Sequence, residues 1–220
     1  MTAVRLGLLT AALLGALPGV AAAQDQAAAL AEALQERYAG VRDFSADFVH
    51  TYRGGVLRTQ ATERGHVRVR KPGMMWWTYT SPEAKEFVSD GRQVYSYLPA
   101  DRQVFVSDVP PDDQIGTPAL FLAGKGNITR DFDAAYADVD AAEGSTVLRL
   151  TPRAGDLEYE RLDLTLDTDS LRILAISARD LQGGESTITF SNLQENQGLT
   201  DNDFVFQVPG NVDVITDDGF

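Results

Sequence analysis

The 220-residue sequence contains no cysteine, two histidines and 19 basic against 32 acidic residues, a formal net charge of −13. Without a thiol there is no disulfide, no cysteine nucleophile and no lipid-attachment site. The acidic balance argues against partners that present phosphate, whether nucleic acid or an anionic membrane surface. No apolar run after Ala23 is long enough to span a bilayer. The phosphate loop, the dinucleotide fingerprint and the G-x-S-x-G nucleophile elbow are all missing, which removes the commonest routes to catalysis.

What is present begins with an address. "MTAVR" supplies a short basic n-region, "LGLLTAALLGALPGV" an apolar stretch, and Ala21-Ala22-Ala23 a small-residue cleavage site. Residues 1–23 therefore read as a cleaved secretory signal peptide, and 24–220 as one exported, soluble domain with no internal linker or repeat. A bacterial periplasm is the natural compartment. Gln24 to Gly40 reads as a helix, with Ala27, Leu30, Ala31, Leu34 and Tyr38 recurring at helical spacing.

After that helix the apolar period changes to two. Phe44, Ala46 and Phe48 share a face, as do Leu162, Leu164 and Leu166, and Ile188 and Phe190; "FVF" (Phe204–Phe206) continues the habit. Gly54-Gly55, Asp90-Gly91, Gly183-Gly184 and Pro209-Gly210 punctuate these runs as turns. Such spacing predicts a mainly β protein whose antiparallel strands form a sandwich, a barrel or a strongly curved sheet. The segment "PPDDQIGTPALFLAGKGNI" breaks the alternation. A short helix from about Thr117 to Ala123 is expected there, too apolar to lie uncovered.

Candidate chemistry is sparse. Ser186 and Thr187 read as ordinary strand residues. In the acidic run around Asp138 the fifth and sixth positions are Ala142 and Glu143, which fails the calcium-loop pattern, and Asp167–Ser170 reads as a hairpin turn. No catalytic residue, metal site or cofactor is assigned. A hydrolase with a non-standard site would need His50 or His66 paired with an acid.

The most informative stretch is "HVRVRKPGMMWWTY" (His66–Tyr79). Strand alternation places Val67, Val69 and Lys71 on one face and His66, Arg68 and Arg70 on the other. A lysine continuing an apolar face needs polar partners, and the unsatisfied carbonyls at the end of a covering helix would provide them. A snorkelling surface lysine in a pre-proline turn is the alternative. Phe44, Phe48, Val67, Val69, Met75, Trp77 and Tyr79 are the candidate lining of an apolar hollow, although the same residue types would also fill a closed core.

Taken in order, "FSADF", "GHVRVRKPGMMWW", "FVSDGRQVYSYLP", "GTPALFL" and "DFVFQVPGNVDVI" resemble the periplasmic outer-membrane lipoprotein carrier proteins, the LolA family. The resemblance spans most of the mature chain. It implies an incomplete antiparallel β-barrel with an N-terminal helix and a helical lid over a hydrophobic cavity, the lid including Pro118, Leu120, Phe121 and Leu122. It implies a monomeric, non-enzymatic chaperone without cofactor. Such a chaperone would accept triacylated lipoproteins from an ATP-driven release complex in the inner membrane and pass them to a receptor at the outer membrane. In the family an arginine before the conserved proline bonds the lid. Here that position is Lys71, with Arg70 as the alternative latch, and a family aromatic is replaced by Met75. A related lipid-binding or envelope-sensing role on the same scaffold is the competing reading.

Overall fold

The computed structural model describes residues 18–55, 59–109, 122–124, 126–153 and 159–216. Helix α1 (Pro18–Ala39) is followed by strands β1 (Asp43–Arg53), β2 (Gln60–Arg70), β3 (Met74–Ser81), β4 (Lys85–Asp90), β5 (Gln93–Leu98) and β6 (Gln103–Asp108). A single helical turn, α2 (Ile128–Asp131), leads into β7 (Phe132–Tyr136), β8 (Ser145–Pro152), β9 (Tyr159–Asp167), β10 (Ile173–Asp180) and β11 (Glu185–Glu195). A 3-10 turn at Asp201–Phe204 and a short strand β12 (Asp213–Thr216) close the described chain.

Among the described residues all twelve strands belong to one sheet, ordered β12-β6-β5-β4-β3-β2-β1-β11-β10-β9-β8-β7. Two meanders, β1 to β6 and β7 to β11, join where β1 pairs with β11. Every pairing is antiparallel except β12 on β6, which is parallel. The sheet is thus mostly antiparallel, as expected, and mixed at this edge. The cause is the long return of the chain across β3 and β4, which brings β12 to β6 running the same way.

Alternation explains which face is buried. Phe44, Ala46 and Phe48 of β1, Val67 and Val69 of β2, and Leu162, Leu164 and Leu166 of β9 all point into one cluster. Helix α1 covers part of that face, turning Ala27, Ala31, Leu34 and Tyr38 inward and packing on β7, β8 and α2. It starts at Pro18, earlier than the expected Gln24, because the alanine-rich run around the cleavage site is itself strongly helix-forming. Gly65 marks a close approach: a Cβ there would lie 2.0 Å from the Thr78 carbonyl oxygen and 2.8 Å from Phe48 Cζ. Only glycine leaves room for the Phe48 ring directly across the ladder.

The "FVF" segment is not a strand. The Asp203 carboxylate accepts from Thr200 N at 2.7 Å and from Thr200 Oγ1 at 2.8 Å, which draws the chain into the 3-10 turn. Phe204 is then fully buried on the face opposite the main cluster, where Val88, Val104 and Val106 are also buried. Phe206 follows, its ring 5.3 Å from Tyr95, 6.0 Å from Tyr97 and 6.1 Å from Trp76. The C-terminal segment thus clamps a second, smaller core.

Candidate functional site: an apolar inner face closed at the Lys71 corner

The side chains expected to line a hollow lie together on the face beneath α1. Phe44, Phe48, Val67, Val69, Met75, Trp77 and Tyr79 are all buried in the main cluster. Phe48 is their centre, with its ring edge-on to Trp77 at 5.0 Å and to Tyr79 at 4.9 Å. The indole N–H of Trp77 donates to Met75 Sδ at 3.3 Å, so even its polar atom is turned inward. Phe190 meets Phe44 and Trp77, each at 6.5 Å.

Among the described residues these side chains are buried side by side. The crevice beneath Leu122, lined by Tyr38, Phe44, Ile173, Phe190 and Leu193, holds about 10 Å³. A groove of about 300 Å³ between Trp76, Tyr97, Phe206 and Pro209 lies on the opposite face.

The cover is fastened at one corner. Lys71 donates to the backbone carbonyl of Tyr38, in the last turn of α1, and its ammonium sits 3.4 Å from the centroid of the Tyr38 ring. That carbonyl lies at the C-terminus of α1 and also accepts from Val41 N at 3.1 Å. Tyr38 links α1 to Leu122: its hydroxyl donates to the Leu122 carbonyl at 2.7 Å. Gly73 N donates to the Ala123 carbonyl at 2.9 Å. Gly124 lies against the lysine stem at φ +79°, and a Cβ there would come within 2.8 Å of Lys71 Cδ. Burial pulls the Lys71 ammonium down to about 8, opposed by the Glu195 carboxylate, and pushes the Tyr38 phenol up. Arg70 faces the other way and pairs with Asp201 of the 3-10 turn. Of the expected lid residues Leu122 is buried against the main cluster, whereas Pro118, Leu120 and Phe121 lie outside the described residues.

The family model for outer membrane lipoprotein carrier protein LolA matches residues 39–207. The chain belongs to that family. An outer-membrane lipoprotein carrier protein of Chromohalobacter salexigens is 34% identical over 207 residues, 93% of this chain and 93% of its own. One from Bordetella avium is 31% identical over 194 residues, 86% of this chain and 90% of its own. The crystal structure of an uncharacterized conserved protein from Thermus thermophilus superposes with a TM-score of 0.54 at 12% identity, covering 84% of this chain and 98% of that chain. That last likeness is one of fold.

The LolA-like motifs converge on the corner just described. Ser89, buried, donates to the Gly73 carbonyl at 2.7 Å, joining "SDG" to "KPG". Asp90 Oδ1 accepts from Arg92 N and Gln93 N, each at 2.8 Å, which sets the β4–β5 turn. Sequence reasoning missed Tyr38 as the hub because its place in the helical stripe already accounted for it. It also missed Gly124 and Ser89, whose roles exist only once distant turns meet.

Both histidines do face acids: His50 Nδ1 is 3.4 Å from Glu63 Oε2, and His66 Nδ1 is 3.1 Å from Asp47 Oδ1. Ser186 Oγ lies 2.8 Å from His50 Nε2. The arrangement still lacks what acyl transfer needs. Ser186 is paired on both sides, to Tyr52 and to Ala178, so its strand amides are committed to the sheet and offer no oxyanion hole. Glu63 is held by Lys85 at 2.6 Å. A LolA-family chain is a transport protein, not an enzyme. Among the described residues no group of three or more histidines and carboxylates is placed to hold a metal.

Proposed function

We propose that this chain is a periplasmic carrier that takes the acyl chains of lipoproteins leaving the inner membrane and delivers them to an outer-membrane receptor. The single observation that carries this reading is the continuous buried aromatic and aliphatic face, with α1 and the Leu122–Gly124 turn tied over one corner of it through Lys71, Tyr38 and Gly73. Each acyl CH₂ kept from water is worth about 0.8 kcal/mol, and three chains hold on the order of forty, so unassisted crossing of an aqueous gap is prohibitive. A carrier must offer an equivalent surface and then release it. The empty form satisfies its own lining by closing. Cargo that occupies the lining must displace α1 and the segment ending at Leu122, and it must prefer that open form by several kcal/mol.

The finer expectations belong to this proposal: the sheet curves into an incomplete barrel, Lys71 is the latch, and the 117–123 segment is the lid. Cleavage after Ala23 trims α1 to its inward-facing part. The proposal also includes the ATP-driven release complex of the inner membrane, the outer-membrane receptor and a monomeric state. No described helix is long and apolar enough to cross a membrane.

The test is mass spectrometry of the protein purified from the periplasm of a lipoprotein-producing strain. Bound triacylated lipoprotein is the expected result. Free phospholipid as the sole bound lipid would replace the carrier reading with another lipid-binding role.

A further inference from the structure

The inner face changes character along the strands. On β1 it runs Phe44, Phe48, His50; on β3, Met75, Trp77, Tyr79; on β11, Phe190, Ile188, Ser186. Adjacent strands make the change at one level, because His50 stands opposite Glu63 on β2 and opposite Ile188 on β11, while Tyr79 stands opposite Lys85 on β4. The polar groups meet each other. Lys85 Nζ is 2.6 Å from Glu63 Oε1 and 4.5 Å from the Tyr79 ring centroid, and the His50 and Tyr79 rings are 6.3 Å apart. The Lys85, His50 and Glu63 side chains keep 25%, 21% and 20% of their exposure, so the cluster lies at a water-accessible margin. The opposite end of the same face is closed by the last turn of α1.

Resting on the carrier reading, we propose that the His50–Lys85 end seats the polar head of the cargo, the ester and amide carbonyls of an acylated glyceryl-cysteine. The head of such a lipid carries a protein that cannot be buried, so it must leave the lining where water reaches it. Its carbonyls are acceptors only. The cluster supplies donors: the ammonium of Lys85 has three N–H groups of which Glu63 needs one, and Ser186 has a hydroxyl proton. His50 Nδ1 is buried and faces Glu63 Oε2 at 3.4 Å. Lys85 and Glu63 cancel in charge, and burial lowers the His50 pKa and favours its neutral form. The site thus suits a neutral carbonyl-rich head better than an anion.

The experiment compares two probes by fluorescence: a tripalmitoyl-glyceryl-cysteine peptide and a pyrene-labelled alkane that has no head, the first read by displacement of the second. The Lys85→Met/Ser186→Ala protein should lose roughly tenfold in affinity for the headed probe, as expected for one or two hydrogen bonds. Its affinity for the alkane should be unchanged. Ser186→Ala alone, which removes one hydroxyl, keeps the test open if the double variant folds poorly, and should show a smaller loss with the same selectivity. Undiminished binding of the headed probe overturns the inference, and so does head-selective loss in Lys71→Met instead. Binding of neither probe by the parent protein would overturn the carrier reading itself.

Discussion

At the residue scale the decisive contact is one lysine against one tyrosine. Lys71 meets Tyr38 twice, through the carbonyl and over the ring, and its stem rests on Gly124. Replacing Lys71 with leucine keeps the apolar stem and removes both polar interactions. That variant should still take up a fatty-acyl probe but should transfer it to the receptor less efficiently; equal delivery by variant and parent would remove Lys71 from the mechanism. The titration gives an independent handle. The folded-state pKa of Lys71, about 8, lies below the ordinary 10.5, so between these values the unfolded chain holds a proton that the folded chain has released. Its contribution to stability therefore rises with pH across that window. Urea midpoints at pH 8 and 9.5 should show the parent gaining on Lys71→Leu. Above pH 10 the raised phenols of Tyr79 and Tyr159, both about 12, act in the opposite sense, so the comparison stops below that. The charge on an apolar face was legible from strand parity alone. Its partner was not, since nothing in the local pattern says that a helix ending at Ala39 will return to residue 71.

At the scale of the element, periodicity predicted what was periodic. The α1 stripe and the β1, β2, β3 and β9 alternations appear as buried positions because each spans several repeats and one face of each is dry. "FVF" misled because two aromatics one residue apart satisfy a strand template in only three residues. The capping interaction of Thr200 with Asp203 overrode it, and Phe204 went to the opposite face. Its consequence is testable. Phe204→Ala should destabilise the fold by about 3–5 kcal/mol, the usual cost of emptying a fully buried aromatic site. It should nonetheless leave acyl-probe affinity unchanged in conditions where the variant is folded, because its core is separate from the lining; thermal unfolding and probe titration on the same sample check both. On the lining side, Gly65→Ala should cost about 1–3 kcal/mol by overpacking against the Thr78 carbonyl and Phe48. Here the variant should also weaken probe binding, since Phe48 must shift.

For the molecule as a whole, the proposed carrier task calls for two states that differ in the cover and share the sheet. The sheet is tied independently of the cover: buried Asp43 accepts from Gln197 N at 2.6 Å and from Gly198 N at 3.1 Å, fixing the end of β11 to the start of β1. Helix α1 has its own ties, including the Arg37 ion pair with Glu195 at 2.7 Å. Opening can therefore break the corner without unzipping the ladders. Amide exchange should report this division. On loading with a fatty-acyl probe, the Gly73 amide should lose protection, since its bond to Ala123 is broken, and so should the amides of the last turn of α1. The ladder amides of β1, β2 and β3 should stay protected. If loading instead deprotected β1 and β2 while Gly73 held, the sheet would be the moving part and the Lys71 corner a fixed hinge. Unchanged exchange everywhere on loading would mean that the lining accommodates chains without any opening, and the moving cover would be wrong.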